Sequence, residues 1–242
     1  GVAMFFLTLM FKVQFDRQWI TIGWALEGAA LLWLFHRVPH PGLRLTGIGL
    51  LLVAFVRLAL NPAVLEYHQR NATPIFNWFL YSYGIVTVCL FLGAKLLAPP
   101  RHLVLKSNVP PILASLGTVL AFLLMNIEIA DYFSQPGSTL TFQFNGNFAR
   151  DMTYSIAWAL FALVLLVCGI VKKLPFARYA ALGLLAVTLL KLFFHDLASL
   201  SQLYRIGALG GVAVIAMLAS FAYQKFFSAT AKATEAKDEN QS

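Results

Sequence analysis

The sequence predicts an all-α fold, a polytopic bundle of transmembrane helices with seven complete spans and one partial span, arranged as two parallel four-helix repeats. Three observations predict it. Hydrophobic residues make up 60% of the chain and charged residues only 12%, with a mean hydropathy of +0.75, and a soluble domain would carry about twice that charge. The apolar residues fall into runs near the ~20 residues that cross a bilayer, separated by short polar stretches. The chain also matches itself at one fixed offset.

The elements follow in order. Residues 2–11 are about half a span and read as the end of a truncated first helix, so that the chain is expected to be the C-terminal part of a longer protein. No basic n-region or small-residue cleavage site marks this run as a signal peptide. Residues 19–35 form the second span, with Glu27 inside it, and HRVPHPGLR over 36–44 breaks the helix with Pro and Gly. Residues 45–60 are the third span, with Arg57 near its end, and 75–97 the fourth. The basic stretch 98–111 reads as a loop before the fifth span, 112–130, which ends around Glu128 and Asp131. The longest loop, 132–151, precedes spans at 152–171, 177–194 and 206–226. This gives a first repeat over 1–98, a second over 99–227, and an apolar-free tail over 228–242 expected to be disordered.

Charge placement sets orientation and excludes one partner class. The net charge of +8 does not mark a nucleic-acid protein, because the basic residues are scattered singly between apolar runs. Eleven Lys and Arg lie on the side of the chain's C-terminus and five on the other, which predicts a cytoplasmic C-terminus and a periplasmic 132–151 loop. Cys89 and Cys168 both lie in apolar runs and read as packing residues.

The repeat appears when the chain is shifted by 134 residues. Trp24-Ala25-Leu26 falls on Trp158-Ala159-Leu160, Pro41 on Pro175, Arg44 on Arg178, and Gly49-Leu50-Leu51 on Gly183-Leu184-Leu185. Arg57 falls on Lys191 in the same register. Four spans separate the copies, so both halves take the same orientation.

Charges at membrane depth are costly and tend to be functional. Glu27 lies about 12 Å from the end of its helix and Arg57 on the next antiparallel helix, so the two are expected to pair. Phe161 replaces Glu27 in the second copy, so Lys191 needs another partner. Asp196 is about 140° away around an ideal helix, which leaves Glu128, Asp131 and Asp151. With Arg150, His195 and Arg205 these residues predict a mixed-charge layer in the outer half of the bilayer, flanked by an aromatic belt of Trp19, Trp78, Tyr81, Tyr83, Tyr132 and Tyr154. No nucleophile motif, zinc ligand set or phosphate-cradling loop is present in the sequence, and no cofactor is implied.

Several stretches together resemble a family of bacterial multi-spanning membrane proteins catalogued as domain of unknown function 2339. They are FNWFLYSYGIVTVCLFLGAKLL at 76–97, MNIEIADYF at 125–133, YSIAWALFAL at 154–163, and RYAALGLLAVTLLKLFFHDLASLSQLYRI at 178–206. The resemblance implies a polytopic inner-membrane protein, usually longer than this chain, and supplies no catalytic residue. Three functions are compatible with the residues. The first is a transport or lipid- or glycan-handling component of the envelope, with a hydrated cavity on Glu27, Arg57, Lys191 and Glu128. The second is a non-catalytic structural subunit whose charges are paired internally and whose partners are other membrane or periplasmic proteins. The third, an enzyme built on His195, is the weakest. Membrane lipids are expected partners in each.

Overall fold

A computed structural model describes residues 19–66, 75–99, 103–104, 107–134, 140, 142, 147–196, 210–221 and 223–224. Its contacts divide the chain into two compact units, Gly1–Gln143 and Phe144–Ser242. The first holds α1 (Trp19–Arg37), α2 (Pro41–Leu60), a 3-10 turn (Pro62–Glu66), α3 (Trp78–Leu96), β1 (Leu103–Val104), β2 (Ser107–Asn108) and α4 (Val109–Phe133). The second holds α5 (Phe148–Val171), α6 (Pro175–Lys191), a π-helical turn (Leu192–Asp196) and α7 (Gly210–Phe221). The partial helix at 2–11, the tail at 228–242 and half of the 132–151 loop lie outside the described residues.

Among the described residues, five helices are long and apolar enough to cross a membrane: α2, α3, α4, α5, and α6 with its extension to His195. Helix α1 is as long as α3, but it contains Glu27 and three tryptophans and is not among them. Helix α7 is apolar and shorter.

Several helices begin before the apolar run that hydropathy marks, because capping rather than burial sets the start. Pro41 and Pro175 take the first turns of α2 and α6, where proline loses no hydrogen bond. The Asn147 side chain accepts from Arg150 N at 3.2 Å, so Arg150 and Asp151 are helical rather than part of a loop. The expected loop at 98–111 contains an antiparallel pairing of Leu103 with Asn108 and Val104 with Ser107, and passes directly into α4.

In the first unit α1 packs against both α2 and α3, and α3 against α4. The α1–α2 contact is backbone to backbone: a Cβ on Gly28 would lie 2.9 Å from the Gly47 carbonyl oxygen, and one on Gly47 equally 2.9 Å from that of Gly28. In lipid, where apolar surface alone gives little drive to associate, such close approach supplies the dispersion contacts that hold helices together. Leu32, Leu51, Leu90, Leu113 and Leu120 fill the interior. The Tyr83 hydroxyl donates to the Leu58 carbonyl at 2.9 Å, satisfying an orphan acceptor in the last turn of α2. Tyr83 and Tyr154 are therefore not belt residues, since both are fully buried, whereas Trp19, Tyr81 and Tyr132 are exposed. Trp19 meets Trp78 edge to face at 4.9 Å, joining the starts of α1 and α3.

In the second unit α5 and α6 pack as a hairpin, and Leu166, Ala181 and Ala219 form its small core. The turn between them follows the two-bond Schellman pattern. Leu174 N donates to the Gly169 carbonyl at 2.8 Å and Lys173 N to the Ile170 carbonyl at 3.1 Å, with Lys173 at φ 53°. Pro175 then starts the next helix. Beyond Lys191, α6 widens into the π turn rather than continuing as the ideal α-helix used to place Asp196.

Candidate functional site

Each unit has its own polar cluster. In the first, Asn77 does two jobs. Its side-chain oxygen caps α3 by accepting from Leu80 N at 2.8 Å. Its amide nitrogen donates to Glu128 Oε2 and to Asp131 Oδ2, both at 3.1 Å. Glu128 and Asp131 come from the last turns of α4, where the helix dipole disfavours negative charge. The amide, and the positive end of α3 that it caps, offset that cost. Asp131 is 2% exposed, and Glu128 Oε1 is buried with no hydrogen-bond partner.

The second cluster is built on α5 and α6. Arg150 Nε lies 3.4 Å from Asp151 Oδ1, and both side chains are buried in the first turn of α5. Lys191, at the end of α6, donates from Nζ to Ser155 Oγ at 2.8 Å and to the Asp151 carbonyl oxygen at 3.1 Å. Ser155 Oγ in turn donates to that same carbonyl at 3.3 Å. The ammonium is thus anchored across 36 residues of sequence by neutral oxygens on the facing helix.

The remaining sequence candidates fall as follows. Glu27 is buried in α1, and the Arg57 guanidinium lies 5.7 Å from the centre of the Trp24 ring. His195 is half-buried in the π turn that also includes Asp196, and Arg205 lies outside the described residues. Asn77 and Ser155 were missed by sequence reasoning. The signal for Asn77 was its position just ahead of an apolar helical run; a serine inside an apolar run carried none. Among the described residues, no group of three His, Cys, Asp or Glu side chains could hold a metal ion.

Two clefts are apolar. One of about 510 Å³ lies within the second unit between α5, α6 and α7, with Ala159, Leu185, Thr188, Leu189, Ala216 and Ala219 in its wall. The other, about 360 Å³, lies in the first unit beside Leu58, Pro62, Tyr83, Leu123 and Ile127. Neither is lined by Glu27, Arg57, Lys191 or Glu128, the residues expected around a hydrated cavity, and neither includes His195.

A family model described as "Predicted membrane protein (DUF2339)" matches residues 37–226. No curated protein and no solved structure matches the chain. The match covers most of the sequence and includes all five long apolar helices, and the chain is a membrane protein of the DUF2339 family.

Proposed function

We propose that this chain is a transport or lipid- or glycan-handling component of a bacterial envelope, seated in the cytoplasmic membrane with its C-terminus in the cytoplasm. One observation carries the proposal: a polar set of the buried Arg150, Asp151 and Ser155 and the half-buried Lys191 stands one helical turn beyond an open apolar cleft. A merely packed bundle has no need of both. In such a component α1 and α7 cross the bilayer as well, with Glu27 carried inside the protein rather than toward lipid.

The two hairpins, α1–α2 and α5–α6, are copies of one design. What supports this is burial in register at the offset of 134. Thr21 and Ser155, Ala25 and Ala159, Gly28 and Ala162, and Leu32 and Leu166 are buried in pairs on the first helices. On the second helices Gly47 and Ala181, Ala54 and Thr188, and Leu58 and Leu192 do the same. Both second helices begin with proline.

A non-catalytic assembly subunit is the second reading, and a specific observation favours it. Asn77 bridges Glu128 and Asp131, and Arg150 meets Asp151, so polar groups at membrane depth are engaged within their own units. The two readings separate on Lys191→Met and Arg57→Met in the full-length protein, scoring membrane abundance, melting temperature and an envelope-stress phenotype. Normal abundance and melting with a phenotype is the outcome expected of a working site. Loss from the membrane, or early melting, would give the assembly role the lead.

A further inference from the structure

We infer that the cleft between α5, α6 and α7 receives an acyl chain of an anionic phospholipid whose phosphate rests against Lys191; this rests on the lipid-handling reading above. The cleft exists because its walls are small. Ala159, Ala186, Ala216 and Ala219 stand where larger side chains would close it, and of the three hydroxyl residues in its wall, Thr188, Ser220 and Tyr223, Thr188 is turned back onto the Leu184 carbonyl at 2.7 Å. Its other lining residues are Ala, Leu, Val and Ile, so the wall is mainly apolar and water in it would find few partners. Left dry, it would forfeit the dispersion contacts of every lining atom. At bilayer depth the abundant apolar molecule is a lipid chain. Access is lateral, since only 17% of the apolar window of α6 is buried in the protein, the smallest share among the candidate spans.

The polar end fixes which lipid. Lys191 is three residues beyond Thr188 and Ser155 four before Ala159, so their hydrogen bond stands about one turn, ~5 Å, past the cleft wall. The first turn of α5, with the positive end of its dipole, lies at the same level. The acid there, Asp151, is already bonded to Arg150, and Asp196 lies a further turn away from the cleft. Along α6, Arg178 stands four residues before Leu182, whereas Lys191 stands two beyond Leu189 and is thus the charge closest to the cleft wall. A phosphate with a neutral remainder matches it, whereas a choline headgroup brings a second cation toward it.

The test is lipid binding by the purified, delipidated full chain, measured by native mass spectrometry with phosphatidylglycerol and phosphatidylcholine of identical acyl chains. Phosphatidylglycerol is expected to be retained about fivefold over phosphatidylcholine, the increment of one lysine near an anionic headgroup. Lys191→Met is expected to bring the ratio to about one. Ala186→Phe and Ala216→Phe, both at exposed cleft positions, are expected to reduce retention of both lipids severalfold. Equal retention by the wild-type chain, or unchanged binding in the filled-cleft variants, would overturn the inference even if Lys191→Met does not fold. If selectivity is absent while Lys191→Met still gives an envelope phenotype at normal abundance, the lipid site falls and the handling role survives with another substrate. Selectivity without any phenotype has the opposite meaning: the lipid site stands and the handling role falls.

Discussion

The two helical hairpins, α1–α2 and α5–α6, solve the same packing problems differently. In α1–α2 the helices meet glycine to glycine, close enough that a Cβ on either would lie 2.9 Å from the other's carbonyl oxygen. In α5–α6 the residues 134 positions further on are Ala162 and Ala181, both fully buried, so each buries a methyl group where the first hairpin has none. The turns diverge as well. His40 Nδ1 accepts from Gly42 N at 3.2 Å to start α2, whereas α5 ends in a Schellman turn with a lysine in the left-handed region. The basic residue near the end of each second helix also finds a different home, Arg57 over the Trp24 ring and Lys191 on Ser155. A planar guanidinium suits an aromatic face, and a compact ammonium suits a cluster of oxygens. Shared hydropathy therefore fixes the hairpin, while individual polar and small residues decide how tightly it closes and what its cation does.

The largest effect that would sharpen the contrast is at the caps. Asn77→Ala removes a cap and the donor to two carboxylates, and is expected to cost about 3 kcal/mol. Asn147→Ala removes only a cap and is expected to cost about 1 kcal/mol. Thermal unfolding in detergent reads both, and equal losses would mean that the bridged carboxylates contribute nothing. Next is the helix crossing. Gly28→Ala is expected to cost about 2 kcal/mol, because a backbone carbonyl cannot rotate away from the new methyl group. The reciprocal Ala162→Gly should lose about 1 kcal/mol, from helix propensity and a small void. A harmless Gly28→Ala would break the distinction between the two crossings. The smallest effect has the opposite sign: Lys173→Gly should stabilise the second unit by about 1 kcal/mol, since glycine takes a positive φ without a Cβ clash. A drop in melting temperature would show that the lysine side chain is needed in that turn.

Much of the fold was legible because apolar runs and their breakers are local. Pro41, Pro175 and the runs beginning near Trp78 and Met152 give helices whose ends fall within a few residues of expectation. The boundaries that differ do so where a polar cap extends a helix past its apolar run, as at Asn147. The candidate site was legible only in its ingredients. Lys191 and Asp151 could be singled out as charges near membrane depth, but the ammonium meets the Asp151 backbone and Ser155, and the carboxylate meets Arg150. Tyr83 and Tyr154 were read as interfacial from their neighbours and are buried instead, because their helix faces turn inward.

By itself the sequence determined that this is a membrane protein made of helices, because burying a backbone in lipid leaves few other ways to satisfy its hydrogen bonds. It also located those helices to within a few residues at their ends. Tertiary structure alone decided which polar atoms meet. Asn77 joins Glu128 and Asp131 across 51 and 54 residues, and Lys191 joins Ser155 across 36. Those meetings depend on which helices are antiparallel neighbours and on the rotation of each about its axis, and lipid-facing hydropathy specifies neither. The apolar cleft likewise needs three helices to present small side chains at one level, a coincidence of packing that no single stretch of chain encodes.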